Sequence, residues 1–328
     1  MIARSTTRRA FIQAAAGVGA TALTGFMPAY AAYPDKPVRI IVPYAPGGAN
    51  DVVARLVAQE LTTRWGHQVL VENRPGGGAT IGGATVAKGA PDGHLLLLAS
   101  STFATHPAMF PNLPYDTAKD LLPIAKIADG PIILTGSPTL PVSSLAQLID
   151  YAKKNPGKLS YGTSGNASTP HLSGEYFNLQ AGTRITHVPY RGDAPALMDV
   201  MGGSTPLAFT GLAAAIPQIK AGKLKGLGVT SKTRLEVLPD VPAIGETVNG
   251  YELVGWFSMF GPGTLPAPLA NAIAEAVLAV VNTPDMHTKL INAGLLPAPM
   301  GPAEFKGFFA SEIRKMTEVI KAADIKVG

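Results

Sequence analysis

The 328-residue chain contains no cysteine. This absence excludes disulfide bonds, thiolate metal sites and cysteine nucleophiles together. Charged residues make up only 15% of the chain, and the six histidines show no i, i+4 pair of the kind that binds zinc. The acidic residues are few and scattered, so no pair of catalytic carboxylates can be nominated. We therefore expect no catalytic residue, no metal and no cofactor.

Long apolar runs are also absent after residue 31, so the later chain has no candidate membrane span. The start of the chain is different. It has a basic segment with the pair Arg8-Arg9, a weakly apolar segment over 10–27, and the small-x-small site Ala29-Tyr30-Ala31. The alternative is a membrane anchor, but the segment is too short and too weakly apolar for one. We expect residues 1–31 to be a cleaved twin-arginine export signal, whose receptor handles folded cargo.

The predicted signal holds three of the 27 basic residues and none of the 22 acidic ones, so the remaining 297 residues carry a net charge of +2. That balance does not suggest a nucleic-acid partner, and no run of Lys and Arg with interleaved aromatics appears. A length of 297 residues is long for one core and sufficient for two lobes.

Short apolar runs alternate with segments of helical spacing in the remaining chain. Val38–Val42 is typical of a buried strand, and the apolar residues of 52–61 recur at helical spacing, with Asn50 or Asp51 as the expected cap. Further strands are predicted at 68–72, 95–99, 159–162, 185–188, 207–210 and 227–230. Further helices are predicted at 80–88, 170–180, 194–201, 268–281 and 302–322, with one more capped by Ser143 or Ser144 and ending at 154. This alternation predicts parallel strands with helices on both faces.

The series of elements restarts after residue 136, which favours two α/β lobes. We expect residues 32–135 and 228–328 to form lobe 1 and residues 136–227 to form lobe 2. The connections near 132–137 and 225–230 would then act as a two-strand hinge, about which the lobes close over a ligand. The alternative is one large doubly wound domain.

Two enzyme motifs can be tested directly, and both fail. Residues 17–22 match a dinucleotide fingerprint, but they lie inside the predicted signal with no strand before them. Residues 162–166 lack the final glycine of a nucleophile elbow. Ser164 remains the one nucleophile candidate for an exported hydrolase, and no placed base accompanies it.

Four glycine- or hydroxyl-rich loops follow predicted strands, at the position where open α/β sheets bind ligands. Each alone could be an ordinary turn with capping hydroxyls, but four at equivalent strand ends favour a small-anion site. Gly47 and Gly48 expose backbone N–H groups ahead of a helix start, a combination that holds carboxylates without a dedicated Lys or Arg. The loops span 44–51, 100–102, 163–169 and 189–193.

We expect Gly47, Gly48 and Asn50 to form a carboxylate cradle on one lobe, and Ser164, Thr169 and Arg191 to close on it from the other. The full set of predicted ligand-binding residues is Tyr44, Gly47, Gly48, Asn50, Asp51, Ser100, Ser101, Thr163, Ser164, Thr169, Tyr190, Arg191 and Thr210.

The same loops carry a resemblance to a known family. In order and spacing, over essentially the whole chain after residue 31, the sequence is similar to the tripartite tricarboxylate transporter receptors, also called the Bug family of periplasmic solute-binding proteins. The segments that carry the resemblance are Val42–Gly48 with Asp51, Val71–Gly76, Ala90–Gly93, Pro189–Gly192 and Ala221–Leu224.

The resemblance implies a type II periplasmic-binding-protein fold that captures a small organic carboxylate in the cleft between the lobes. It implies that the ligand carboxylate sits on backbone groups and bridging water at Gly47–Asp51. It also implies a periplasmic receptor that delivers its ligand to a membrane permease of two separately encoded subunits. We expect the receptor to be a monomer. The sequence departs from the family at Thr210-Gly211, where the family usually has Asp or Asn.

A binder that reports to a sensor kinase or another signalling partner would have the same features, so this alternative stays open. Neighbouring genes would separate the two, because a permease pair argues for transport.

Overall fold

The structure is a computed structural model that describes residues 33–325. The predicted export signal, residues 1–31, lies outside the described residues. The chain from Lys36 onward forms one compact unit that contains two β-sheets. Among the helices of residues 33–325, none combines the length and the apolar character that a membrane crossing requires.

Strands and helices alternate along most of the unit. The strands are β1 (Val38–Val42), β2 (Val69–Asn73), β3 (Leu95–Ser100), β4 (Leu121–Gly130), β5 (Ile132–Gly136), β6 (Ser160–Thr163), β7 (Thr186–Pro189), β8 (Leu207–Gly211), β9 (Lys225–Val229), β10 (Gly255–Pro262) and β11 (Leu296–Met300). The α-helices are α1 (Ala49–Trp65), α2 (Thr80–Ala87), α3 (His106–Met109), α4 (Leu145–Lys154), α5 (Thr169–Ala181), α6 (Asp193–Gly202), α7 (Leu212–Lys220), α8 (Ala267–Val281), α9 (Pro284–Asn292) and α10 (Pro302–Ala322). Short 3₁₀ turns lie at Gly77–Ala79, Ser101–Thr105 and Ile244–Glu246.

The first sheet has six strands in the order β11-β4-β10-β3-β1-β2, and the second has five in the order β7-β6-β8-β5-β9. β1 pairs in parallel with β2 and β3, and β6 pairs in parallel with β7 and β8. The predicted α/β fold with two sheets is confirmed. The expectation of parallel strands is confirmed for these pairs and is wrong for β10 and β5, which run antiparallel to their neighbours.

These antiparallel strands adjoin the two places where the chain changes sheet. Only Pro131 separates β4, in the six-stranded sheet, from β5, in the five-stranded sheet. The chain returns between Val229 at the end of β9 and Gly255 at the start of β10. The boundaries predicted at 135/136 and 227/228 therefore fall inside β5 and β9, within the five-stranded sheet. The division into two lobes that move about a hinge stays a prediction.

An aromatic cluster fixes β10 against the last helix. Trp256 on β10 is fully buried and meets Phe309 of α10 edge-on, with ring centroids 5.8 Å apart. Phe260 and Phe305 extend the cluster at a centroid distance of 5.2 Å. Each such pair contributes roughly 0.5–1.5 kcal/mol beyond the area it buries. The indole N–H of Trp256 donates to Glu312, so the ring has one defined position.

The starts of two helices differ in how they are capped. Ser144 caps α4 as predicted, since its side chain accepts from the Gln147 N–H. The cap predicted for α1 is wrong: Gly48 occupies the N-cap position with no side-chain cap, and Asp51 lies in the first turn. The Asp51 carboxylate instead accepts from the N–H of Gly47, which precedes the helix.

Candidate ligand-binding site

A cavity of about 490 Å³ lies where strand ends and helix starts of both sheets meet. Its wall includes the crossing segment Gly130–Ile132, the start of β10 at Gly255–Phe257, and Ala293–Leu295 ahead of β11. Six of the predicted site residues line it together. They are Tyr44, Asn50, Ser100, Ser101, Ser164 and Thr169.

Four helices begin at this cavity. The first residues of α1, α5, α6 and α7 all contribute to its wall. The first four N–H groups of an α-helix have no partner within the helix, and the helix dipole places partial positive charge there. Ser168 caps α5, whereas the N-cap residues of α1 and α7, Gly48 and Gly211, supply no side-chain cap. Backbone N–H groups at the start of α1 are therefore available to an anion, whereas the Gly211 N–H ahead of α7 donates to Asp193.

The wall contains no cationic side chain: among residues 33–325, no Lys, Arg or His lines the cavity. Arg191, predicted to close on the ligand, is exposed and is not part of the wall. Its neighbour Tyr190 hydrogen-bonds Asp199 and Thr205, each at 2.7 Å. A contact between Arg191 and a ligand stays a prediction that this geometry does not support directly.

Hydroxyl groups form one side of the cavity. The Tyr44 hydroxyl is 2.9 Å from Ser100 Oγ, and Thr102 joins both of them. Burial raises the pKa of Tyr44, so the phenol stays neutral at neutral pH. Ser101 Oγ lies 3.1 Å from Thr169 Oγ1, which belongs to the other sheet's α5.

Asp51, a predicted ligand residue, holds the first loop in place and does not line the cavity. Its carboxylate accepts from Arg55 Nε at 2.9 Å, Gly47 N at 3.0 Å and Asn73 Nδ2 at 3.0 Å. The hydrogen bond from Arg55, with smaller contributions from Gly47 and Asn73, lowers the pKa of Asp51 to about 2. The same Asn73 amide donates to the Tyr44 carbonyl at 3.1 Å. The exposed Gly47 and Gly48 of this loop do not line the cavity either.

Two stacked histidines lie under the third loop. The rings of His171 and His187 are 3.7 Å apart, and burial lowers the pKa of each to about 4. His187 Nε2 bonds Thr163 Oγ1 at 2.7 Å, and His171 Nδ1 accepts from the Ala167 N–H. Thr163 is fully buried and does not line the cavity. These two hydrogen bonds hold the rings against the third loop.

Thr210, where the sequence departs from the family pattern, is fully buried beside the cavity and outside its wall. Its Oγ1 has no hydrogen-bond partner within the described residues.

The sequence reasoning placed Asp193 in the fourth loop but did not select it as a ligand residue. Asp193 lines the cavity, and its Oδ2 accepts from the Gly211 N–H at 3.0 Å. Burial raises the pKa of Asp193, while the Gly211 N–H and the Ser164 hydroxyl oppose that shift. The remaining oxygen, Oδ1, is buried and has no hydrogen-bond partner among residues 33–325.

Apolar wall residues were missed as well. Trp256, Phe257 and Leu295 reach the cavity from the last quarter of the chain, and Leu212 reaches it at the start of α7. A second cavity of about 630 Å³ shares Tyr44, Thr102 and Ser168 with the first. Its wall also includes Met109, Phe110 and His106.

Comparison with known proteins decides the family. The profile described as "Tripartite tricarboxylate transporter family receptor" matches residues 53–325. The chain belongs to this receptor family. It is similar to the BugT protein of Bordetella pertussis, with 32% identity over 300 residues that cover 90% of this chain and 91% of BugT. The predicted Bug-family resemblance is therefore confirmed.

Solved structures of the receptor family share the fold. A protein of R. palustris solved with adipate is 34% identical, with a TM-score of 0.76 over 90% of this chain and 99% of its own. MatC from Rhodopseudomonas palustris with bound malate is 28% identical, with a TM-score of 0.71 over 88% and 100%. Because members of the family are binding proteins for transport, the prediction that this chain is not an enzyme is confirmed.

Proposed function

We propose that the protein is a periplasmic receptor that captures a small organic carboxylate in the cavity and delivers it to a membrane permease of two subunits. The observation that carries the proposal is the uncapped start of α1, which opens onto a cavity without cationic side chains. In such a site the carboxylate charge is balanced by backbone N–H groups and the helix dipole. The adipate and malate in two related structures support a carboxylate as the ligand class.

Among the helix starts at the cavity, the start of α1 is the one best placed to bind the ligand carboxylate. The start of α5 is occupied by the Ser168 cap, and the start of α7 faces the carboxylate of Asp193. The start of α1 has neither a capping side chain nor a facing acid, since the charge of Asp51 in its first turn is paired with Arg55. The ligand carboxylate therefore binds at Ala49 and Asn50, and the hydroxyls of Tyr44, Ser100 and Thr102 surround it.

Delivery requires that the receptor open and close. The two sheets provide the two sides of the cavity, and the segment at Pro131 and the return from Val229 provide the connections about which they move. Residues 1–31 act as the twin-arginine export signal, and the receptor works as a monomer in the periplasm. A pair of permease genes beside the receptor gene supports delivery, and their absence together with a neighbouring sensor kinase gene argues against it.

The binding mode can be tested by removing one backbone donor. Ala49 is exposed and is the first residue of α1, a position where proline is well tolerated. Ala49→Pro deletes the N–H, whereas Ala49→Ser keeps it. A hydrogen bond to a charged group contributes about 1.5–3 kcal/mol, so we expect Ala49→Pro to weaken binding by about 10- to 100-fold.

Isothermal titration against mono- and dicarboxylates of three to six carbons measures this effect. Ala49→Ser should stay within about twofold of the wild type. Equal affinity for the two variants would show that the start of α1 is not the anchor. Failure of every carboxylate to bind the wild type would refute the proposed function itself.

A further inference from the structure

We propose that Asp193 makes this cavity selective for a small zwitterionic carboxylate, with an ammonium group opposite the carboxylate, over a plain dicarboxylate. The inference rests on the proposed function, because it takes the ligand carboxylate to be bound at the start of α1. It names the ligand class within that function.

The position of Asp193 is set by its neighbour on α7. Its Oδ2 is 3.0 Å from the Gly211 N–H, and a Cβ placed on Gly211 would lie 3.1 Å from that same oxygen. The absence of a side chain at 211 therefore leaves room for the Asp193 carboxylate. The Asp193 side chain is held at the cavity wall by α6 on one side and the start of α7 on the other.

The charge of this carboxylate is not balanced by a protein cation. No Lys, Arg or His belongs to the cavity wall in the part of the chain that the structure describes, and Arg191, two residues away, is exposed. A buried carboxylate is costly unless a cation or sufficient hydrogen-bond donors accompany it. The Gly211 N–H and the Ser164 hydroxyl supply donors to the group, but its Oδ1 has no partner in the described part of the chain.

A second wall residue, Asn50, also carries an oxygen that lacks a hydrogen-bond donor from residues 33–325. Within the residues that the structure describes, Asn50 Oδ1, at the start of α1, is buried without a hydrogen-bond partner, as is Asp193 Oδ1. The amide oxygen of Asn50 only accepts hydrogen bonds, and so do the oxygens of Asp193 in its ionised form. An ionised dicarboxylate has no hydrogen to give to either atom and adds a like charge near Asp193. An ammonium group offers three donors and a compensating charge.

The test compares ligands matched in length. Titration calorimetry with the full-length mature protein uses butanoate, 2-aminobutanoate, 4-aminobutanoate and succinate, together with their homologues of three to six carbons. We expect the best amino acid of the series to bind at least tenfold more tightly than the best dicarboxylate. This comparison needs no variant, so it does not depend on the folding of a mutant.

Asp193→Asn removes the charge and keeps an oxygen that can accept from Gly211. It should weaken the binding of the preferred amino acid at least tenfold. The dicarboxylate should then bind as tightly as that amino acid or more tightly. Asp199→Asn is the matched control, because Asp199 lies on the same helix and bonds Tyr190 outside the cavity. The control should leave the ratio of the two affinities unchanged.

Three results would count against the inference. If the wild type prefers a dicarboxylate, or if Asp193→Asn shifts the ratio no more than Asp199→Asn does, Asp193 does not select the ligand and the carboxylate-receptor function stands. If no carboxylate of any kind binds, the proposed function fails and the selectivity fails with it.

Discussion

Ser101 Oγ and Thr169 Oγ1 lie 3.1 Å apart, and their hydrogen bond joins the end of β3 in one sheet to the start of α5 beside the other. Gly255 lies against the same point: a Cβ built there would be 3.4 Å from Thr169 Cγ2 and 3.7 Å from Ser101 Oγ. Both hydroxyl residues line the cavity. The two sides of the cavity therefore touch at this pair.

We expect Ser101→Ala to weaken ligand binding by about three- to tenfold, because a hydrogen bond of this kind contributes about 0.5–1.5 kcal/mol to the closed arrangement. Titration calorimetry with a confirmed ligand measures the loss. Ser143→Ala, at an exposed serine before α4, is the control. An affinity of Ser101→Ala within twofold of that control would show that the hydroxyl pair does not stabilise closure.

Gly294 lines the cavity at the point where the segment ahead of β11 approaches the start of α7. It has φ +76°, and a Cβ there would lie 2.9 Å from the backbone N of Ala213 at the start of α7. We expect Gly294→Ala to hold the two sides apart and to weaken ligand binding at least tenfold. Small-angle scattering should show a larger radius of gyration with saturating ligand than for the wild type.

Gly250→Ala separates this contact from backbone strain. Gly250 has φ +77°, but a Cβ built there would have no atom within 4 Å, so the substitution strains the backbone by about the same 1–2 kcal/mol and blocks nothing. Both variants should lose thermal stability, and Gly294→Ala alone should lose affinity. Equal affinities would mean that the approach of Gly294 to α7 is not needed for binding.

Acid should destabilise the protein through a buried histidine. His106 is 1% exposed, with its ring 2.9 Å from the Tyr115 hydroxyl and 3.1 Å from the Gly78 carbonyl, and burial lowers its pKa to about 4. The unfolded chain takes up this proton near pH 6.5. Between pH 6.5 and 4 the unfolded state binds more protons, so the free energy of unfolding falls as the pH falls, by about 3 kcal/mol for this ring.

Urea denaturation at pH 7 and pH 5 measures that slope. His106→Leu should be less stable than the wild type at pH 7, because it leaves the Tyr115 hydroxyl and the Gly78 carbonyl without their partner. It should also lose less stability between the two pH values. His67→Leu, at a partly exposed ring, is the control. An unchanged slope in His106→Leu would contradict the assignment.

Asp51 is stabilised in its charged form, whereas His106 is buried in its neutral form. The pKa of Asp51 is lowered to about 2, so its carboxylate stabilises the fold above pH 4 and that stabilisation disappears as the pH falls from about 4 to 2. We expect Asp51→Asn to cost about 2 kcal/mol at pH 7 and much less at pH 2.5. Chemical denaturation at both pH values checks this. A cost that does not change with pH would mean that the ion pair with Arg55 does not carry the effect.

The loops at strand ends could be predicted from the sequence because their glycines and hydroxyls lie directly after apolar runs. The opposite wall could not: Trp256 and Gly294 lie far along the chain from the last predicted loop, and only the strand order brings them to the cavity. Some elements were hidden by their prolines. Pro217 interrupts the helical pattern of α7, and Pro297 lies in the edge strand β11.

The fourth loop shows how much a single backbone turn decides. The chain turns at Gly192 with φ +118°. Arg191 is left exposed and Asp193, two residues on, lies at the cavity wall. Which of two neighbouring side chains faces a ligand depends on backbone angles that residue type alone does not specify.

The uncapped start of α1 has a consequence for how such receptors diversify. Every amino acid except proline carries a backbone N–H, so under the proposed binding mode almost any substitution along the wall leaves the carboxylate anchor intact. Related structures hold adipate and malate at 34% and 28% identity to this chain. Ligand preference can therefore change by substitutions at a few wall positions, such as 193 and 211. Each evolutionary intermediate would still bind a carboxylate.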